Sequence, residues 1–489
     1  MEETLKTNKL IKIFQILKNS KFVISFNKFA ISPYATILWA IGAFVCHIFS
    51  LELLYYSLIC LYATLIMMFA DNFLPIMPLF IFCYLTPTEK NNPGIFQSSI
   101  FYGSTGISIL IMLSPVIVTA MLRICLDKNI GIKKLFLKKR SLTIGFLALG
   151  IAYILSGIGR PNYFEIFQNN LISSLIQFVS IFFLYFLFSA TVDWEKSPKN
   201  YFAWVGICMG LLVSAELLEI YIVKDVIQNG SIKRSLILTG WGHYNNIGAI
   251  IAMSIPFAFY MCCKSKNSYI FLAISLVLLI SLFLSCSRGS IVCGTLIFVI
   301  SLIVAFIKAD NKKRFRISTL IMFSLGLILM FIFKNYLLLL FKNVPSIINQ
   351  NSSSLSFNDS SRFDIYKKGF EAFLKFPILG QSFFPYTYVP YGFSTVQTFN
   401  AFLPPRWHNT IIQILATCGI IGIIAYAIHR YQTIKLFVKK PTVEKTFIGL
   451  SILVLLLMSL LDCHFFNIGP ALIYSMSLAF AENINCNEN

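Results

Sequence analysis

The sequence predicts an all-α polytopic membrane protein with about twelve to fourteen transmembrane helices and one large exterior loop. Three observations predict it. Hydrophobic residues make up 57% of the 489-residue chain and charged residues only 12%, where a soluble domain carries about 25% charged residues. The apolar residues fall in continuous runs of about 20, the length a helix needs to cross the hydrocarbon core, and they do not alternate as barrel strands do. Basic residues collect in every second short connection. A soluble enzyme, a disordered chain and a secreted disulfide scaffold are thereby excluded.

Taken in order, the apolar runs place spans near 32–50, 51–70, 73–87, 98–121, 141–158, 170–190, 201–222, 236–262, 269–286, 288–307, 317–340, 409–428, 446–462 and 465–482. The third is short and carries Pro75 and Pro78, the pattern of a broken or re-entrant segment. Residues 1–29 are basic and run into the first span without a small-residue cleavage site, so they read as a cytoplasmic leader and not a signal peptide. The chain then divides into N-terminal helices (30–235), central helices (236–341), an exterior loop (342–408) and C-terminal helices (409–489).

The net charge of +20 could suggest nucleic acid, but its distribution argues otherwise. With the N-terminus inside, the stretches Lys6 to Lys28, Arg123 to Arg140, Lys196 to Lys199, Lys264 to Lys266, Lys308 to Arg316 and Arg430 to Lys445 all face the cytoplasm and hold most of the Lys and Arg. The excess is a topology signal and an attraction to anionic membrane lipid; no nucleic-acid partner is expected. The twelve cysteines are scattered, mostly inside spans, without metal-ligand spacing. Neither a metal nor a cofactor is expected.

The one long exterior connection, about 68 residues, stands out among short loops, and such loops are usually functional. Ser361 and Asp364 form a capping-box pattern, Pro377 and Gly380 close the helix, and Phe363, Tyr366, Phe370, Phe373 and Leu374 recur at helical spacing. The spacing predicts an amphipathic helix along the membrane surface. Beyond it come Phe383, Phe384, Tyr386, Tyr388, Tyr391 and Phe393, then Phe399, Phe402 and Trp407. These rings read either as an interfacial aromatic belt or as a platform for sugar rings.

Three residues could do chemistry. Arg288, in the tight turn Cys286-Ser287-Arg288-Gly289, is either an arginine snorkelling to the interface or an anion ligand. Arg362 lies in the first turn of the loop helix, where a cation opposes the helix dipole unless an anion binds there as well. His408, in Pro404-Pro405-Arg406-Trp407-His408-Asn409, is either a residue of the helix entry, with Asn409 as cap, or a proton acceptor. Of the other histidines, His243 and His464 share the predicted exterior side and compete for that role.

With these residues in place, the sequence resembles the O-antigen ligase and O-antigen polymerase family of bacterial membrane glycosyltransferases. The resemblance lies in the Ser287-Arg288-Gly289 turn, in Arg362 heading a loop helix with Phe376-Pro377-Ile378-Leu379-Gly380 behind it, and in His408-Asn409 before an apolar helix with Gly419 and Gly422, an H-x10-G spacing. It covers roughly 236–430; residues 1–235 are similar only in being multi-span.

The resemblance implies a C-type glycosyltransferase-like fold in the bacterial plasma (inner) membrane, with the active site on the exterior face. It implies a glycan on undecaprenyl diphosphate as donor, a glycan or lipid-glycan acceptor, and a ligase or, alternatively, a repeat-unit polymerase of surface polysaccharide biosynthesis. Arg288 and Arg362 would hold the diphosphate without a metal, and His408 would take the acceptor proton in a single inverting displacement. Asn409, Arg406, Trp407, His243, Glu216 and Glu219 are candidates for holding the acceptor or supporting these groups. Glu216 and Glu219 share one face of a helix end and either line that pocket or pair with Lys224. A lipid-linked oligosaccharide transporter or flippase is the competing class; it would place ionisable groups at the bilayer midplane between broken helices.

Overall fold

A computed structural model describes residues 19–82, 104–126, 140–160, 163–194, 197–224, 226–228, 231–240, 242–332, 334, 359–383, 407–439 and 441–484. It is all-helical apart from two minimal hairpins. In chain order the helices are α1 (Lys21–Ala30), α2 (Pro33–Ile48), α3 (Glu52–Phe69), α4 (Met77–Phe82), α5 (Ser104–Leu126), α6 (Thr143–Ile154), α7 (Tyr163–Thr191) and α8 (Tyr201–Val223). Strands β1 (Ile227–Gln228) and β2 (Ser231–Ile232), then β3 (Leu238–Thr239) and β4 (Gly242–His243), separate these from the rest. There follow α9 (Tyr244–Lys264), α10 (Ser268–Leu284), α11 (Arg288–Lys308), α12 (Lys312–Ile332), α13 (Asp359–Lys375), α14 (Thr410–Val438), α15 (Val443–Ser459) and α16 (Ile468–Asn483).

Every predicted span coincides with one of these helices, and among the described residues five are long and apolar enough to cross a membrane alone. The exceptions have local causes. The third run opens as a 3-10 turn, Leu74–Ile76, before α4, with Pro75 in the turn and Pro78 in the first turn of α4, where a missing N–H is tolerated; its residues 83–87 lie outside the described set. The run predicted from residue 236 becomes helical only at Tyr244, since Gly242 turns with φ +98 and closes a hairpin instead. In the basic leader, whose residues 1–18 lie outside the described set, Ser20 caps α1, and α1 meets α2 at 70°. Arg430, expected in a cytoplasmic loop, lies inside α14, its guanidinium against the rings of Tyr426, Phe465 and Tyr474.

Helix α9 is the centre of the bundle. It is apolar all round, 94% of its span is buried, and it packs against α8, α10, α11 and α15. Its first residues therefore reach the end of the bundle at a fixed position.

The second organising feature is a break in α14. Gly419 adopts φ 63, ψ −154, a conformation open essentially only to glycine. The break leaves the carbonyls of Ala416 and Thr417, and the N–H groups of Ile420 and Ile421, without their helical partners. In a membrane those four groups must be satisfied inside the protein. The segment behind α13 does this: Gln381 N donates to Ala416 O (2.8 Å), Ser382 N to Thr417 O (3.1 Å), Ile420 N to Pro377 O (2.9 Å) and Ile421 N to Ile378 O (3.3 Å). Gly380, itself at φ +69, lies so close that an added Cβ would meet the Thr417 carbonyl carbon at 2.3 Å. Gly157 N and the buried Arg160 hold the segment from the α6 side, through Leu379 O and through Gln381 O and Ser382 Oγ.

The segment Pro377–Ser382 is thus stitched into the bundle. Gly419→Val or Gly380→Val is expected to undo this, at a cost of about 3 kcal/mol or more from strain and lost hydrogen bonds. Gly42→Ala, where the new Cβ meets only Tyr55 Cε2 at 3.8 Å, should be tolerated. Thermal unfolding in detergent compares the three, and a Gly419→Val protein as stable as Gly42→Ala would contradict this account.

Helix α13 is helical over the predicted stretch, but it packs through Ile365, Gly369 and Ala372 against Trp407, Ile412 and Ala416. The face predicted from Phe363, Phe370 and Leu374 remains exposed, as a helix bordering lipid requires.

Candidate active site

His408 sits between the buried Trp407 and the start of α14, with φ 51, which is rare for a side chain larger than glycine. The position is held on all sides. Asn409 caps α14 through Ile411 N and Ile412 N, and its Nδ2 donates to Leu460 O at 2.9 Å. Trp407 N donates to Gln413 Oε1 at 3.0 Å, and Tyr366 Oη of α13 donates to His408 O at 3.1 Å.

The ring faces a carboxylate. His408 Nδ1 lies 3.1 Å from Asp462 Oδ1, in the turn between α15 and α16. Asp462 Oδ2 accepts from Asn245 Nδ2 (2.9 Å) in the first turn of α9, and Asn245 Oδ1 accepts from Ser287 Oγ (2.9 Å) at the cap of α11. A hydrogen-bond chain therefore joins four segments that are far apart in sequence. Because the carboxylate accepts, Nδ1 carries the proton and Nε2 keeps its lone pair. His408 is 27% and Asp462 12% exposed at the side chain, so the imidazole is reachable while the carboxylate is sheltered.

The same turn gathers both predicted arginines. Arg362 Nη1 donates to Leu461 O at 3.1 Å. Arg288 is the first residue of α11, and the next residue, Gly289, is close enough that an added Cβ would stand 3.2 Å from Leu461 Cδ1. Arg362, His408 and Asn409 thus each bond to residues 460–462, and Arg288 is one residue from Gly289, which borders Leu461.

The other candidates fare differently. His243 is exposed at the N-cap of α9, two residues before Asn245, so it borders the site. Its competitor His464 is buried, its Nδ1 3.4 Å from Asn467 Nδ2. Trp407 and Phe383, both offered as platform rings, are fully buried: Trp407 packs against α13, and Phe383 meets Tyr153 edge to face with centroids 4.8 Å apart. Neither has a face for a sugar. Arg406 and the aromatics from Phe384 to Phe402 lie outside the described residues.

Glu219 accepts a hydrogen bond from His47 of α2 (2.9 Å) and makes no direct contact with Lys224, the partner its sequence neighbourhood suggests, because α2 packs alongside α8 while Lys224 lies beyond the helix end. Glu216 is buried beside it without a hydrogen bond. Among the described residues no hydrogen bond or ion pair joins either glutamate to the His408 chain.

Sequence reasoning missed Asp462 and Asn245. The available signal was an acidic residue in Leu460-Leu461-Asp462-Cys463, at the end of an apolar span, where a charge is expensive enough to need a purpose.

Comparison with known families finds a match to the family model described as O-antigen ligase, over residues 272–427. The match takes in the Ser-Arg-Gly turn, Arg362 and His408, and it starts later than the 236 suggested by the motifs. A comparison with curated proteins finds no match. Residues 272–427, about a third of the chain, are therefore similar to the O-antigen ligase family.

Proposed function

We propose that this protein is a glycosyltransferase that moves a glycan from undecaprenyl diphosphate to an acceptor hydroxyl, as a surface-polysaccharide ligase, at the exterior face of the bacterial plasma membrane. The observation that carries the proposal is the chain His408–Asp462–Asn245–Ser287, set on the same turn as Arg362 and the start of α11. The distribution of basic residues supports the exterior face, with the N-terminus in the cytoplasm.

The chemistry needs few parts. The acceptor oxygen attacks the anomeric carbon while His408 Nε2 takes its proton. The anomeric C–O bond breaks, and its electron pair leaves with the diphosphate, whose growing charge Arg288 and Arg362 face. Asp462 stabilises the imidazolium and fixes its tautomer. A single displacement inverts the anomeric centre. A diphosphate leaves as an anion, so this scheme requires neither a general acid nor a divalent metal.

Full-length protein in liposomes, given lipid-linked glycan and acceptor, is expected to release undecaprenyl diphosphate and transfer the glycan with EDTA present. Loss of activity in EDTA that Mg²⁺ restores would overturn the arginine-only scheme, and release of lipid diphosphate without glycan transfer would overturn the acceptor step. Analysis of the product distinguishes a ligase, which attaches one glycan to a different molecule, from a polymerase, which extends the glycan itself.

A further inference from the structure

Between α8 and α9 the chain folds into its two hairpins, β1 with β2 and β3 with β4, joined by the 3-10 turn Arg234–Leu236. In the second hairpin Leu238 pairs with His243, and β4 runs directly into α9, so the hairpin is fixed relative to Asn245. Arg234 reaches back from this wall. Its guanidinium carbon lies over the Tyr244 ring, 5.8 Å from the centroid, and its charge acts on the thiol of Cys286, two residues before Arg288. The guanidinium is therefore placed at the start of α9, over the residue that precedes Asn245 of the hydrogen-bond chain.

Two further facts describe that space. Among the described residues the Arg234 side chain makes no hydrogen bond or ion pair with the protein. The caps of both helices, His243 for α9 and Ser287 for α11, make no side-chain capping bond to the first turn. The Arg234 side chain thus stands beside the start of α9 with no carboxylate partner of its own among the described residues.

Resting on the transfer reaction proposed above, charge arithmetic says what would. A glycosyl diphosphate ester carries about two negative charges, and the polyprenyl diphosphate left after the sugar departs carries about three near neutral pH. The extra charge is the electron pair of the broken anomeric C–O bond, while the acceptor's proton goes to His408. Arg288 and Arg362 match the donor. We propose that Arg234 is a third diphosphate ligand, which engages the charge that develops as the sugar leaves and holds the released polyprenyl diphosphate. Its chemical preference is for a terminal diphosphate over either an esterified one or a monophosphate.

The test is a binding titration on full-length protein in nanodiscs, with undecaprenyl diphosphate and undecaprenyl monophosphate as probes, on wild type, R234A, R234K and K233A. Lys233 is the exposed neighbour and controls for general surface charge. R234A should bind the diphosphate about tenfold more weakly, the loss of one charge-assisted contact, with a much smaller change for the monophosphate. R234K should recover part of the loss, and K233A should match wild type.

Equal diphosphate binding by R234A and wild type overturns the assignment while leaving the transferase reaction standing. The assignment also falls if R234A loses both probes equally, or if K233A matches R234A. A wild type that fails to prefer diphosphate to monophosphate overturns the transferase reading, and this inference with it.

Discussion

His408→Ala is expected to abolish glycan transfer and to leave the lipid-linked donor accumulating in the membrane. A positioned general base contributes about a hundredfold to ten-thousandfold, and among the described residues His408 is the imidazole whose Nδ1 faces a sheltered carboxylate while its other face is reachable. Asp462→Asn separates the base from mere packing. The amide preserves shape and can still accept from Asn245, but it no longer fixes the imidazole with its proton on Nδ1 or stabilises the imidazolium. Transfer should fall about a hundredfold or more, with normal expression and an unchanged donor KM. Asn245→Ala, one step further along the chain, should have a smaller effect of the same kind. Wild-type transfer by a normally expressed His408→Ala protein would remove the residue from the mechanism, and an Asp462→Asn protein that fails only in donor binding would remove the proposed tautomer role.

The second large effect concerns the donor. Arg288→Ala and Arg362→Ala should each lower transfer about a hundredfold, the scale seen when one preorganised donor to a developing anion is removed. Lys367→Ala and Lys368→Ala, on the same loop helix as Arg362, should change it only slightly. The contrast follows from position. Arg362 is anchored on Leu461 O, one residue from Asp462, and Arg288 opens the helix whose cap ends the His408 chain, whereas both lysines lie on an exposed face of α13. Replacing either arginine with lysine keeps the charge but loses the planar fork, so only partial recovery is expected. Equal losses at all four positions would reduce the effect to general loop electrostatics.

The transporter alternative places ionisable groups at the midplane between broken helices. A broken helix is present: α14 at Gly419. Its free backbone groups, however, are taken up by Pro377–Ser382, not left facing a cavity. Glu219 is paired with His47, away from the break. The break therefore anchors the segment behind α13 and opens no substrate path there, which favours the transferase reading over the transporter.

Much of the architecture was legible because it is local. A run such as Tyr201–Val223 must be helical in lipid, where its own backbone is its one dependable source of hydrogen bonds. The pattern Asn409-Thr410-Ile411-Ile412 marks a cap whatever surrounds it. Pro75 and Pro78 mark a turn and a helix start in any fold. The Ser287-Arg288-Gly289, Arg362 and His408 motifs could likewise be picked out singly, each as a residue type in a telling place.

Partnership was not legible. His408 and Asp462 are 54 residues apart, and Asn245 and Asp462 are 217 apart; no periodicity carries such a relation. The spacing from His408 to Gly419 could be seen in the sequence, but its purpose could not. Only the folded chain shows Gly419 opening a helix to receive Pro377–Ser382. Aromatic residues mislead for the same reason: Trp407 and Phe383 have the composition of a sugar platform, but helix packing places both in the core. Apolar length and charge alternation, which each segment carries within itself, determined that the chain is helical and lies in a membrane. Which polar groups meet at the end of α9 was decided by tertiary packing alone, because a hydrogen bond between distant segments exists only once the helices bearing them have been brought together.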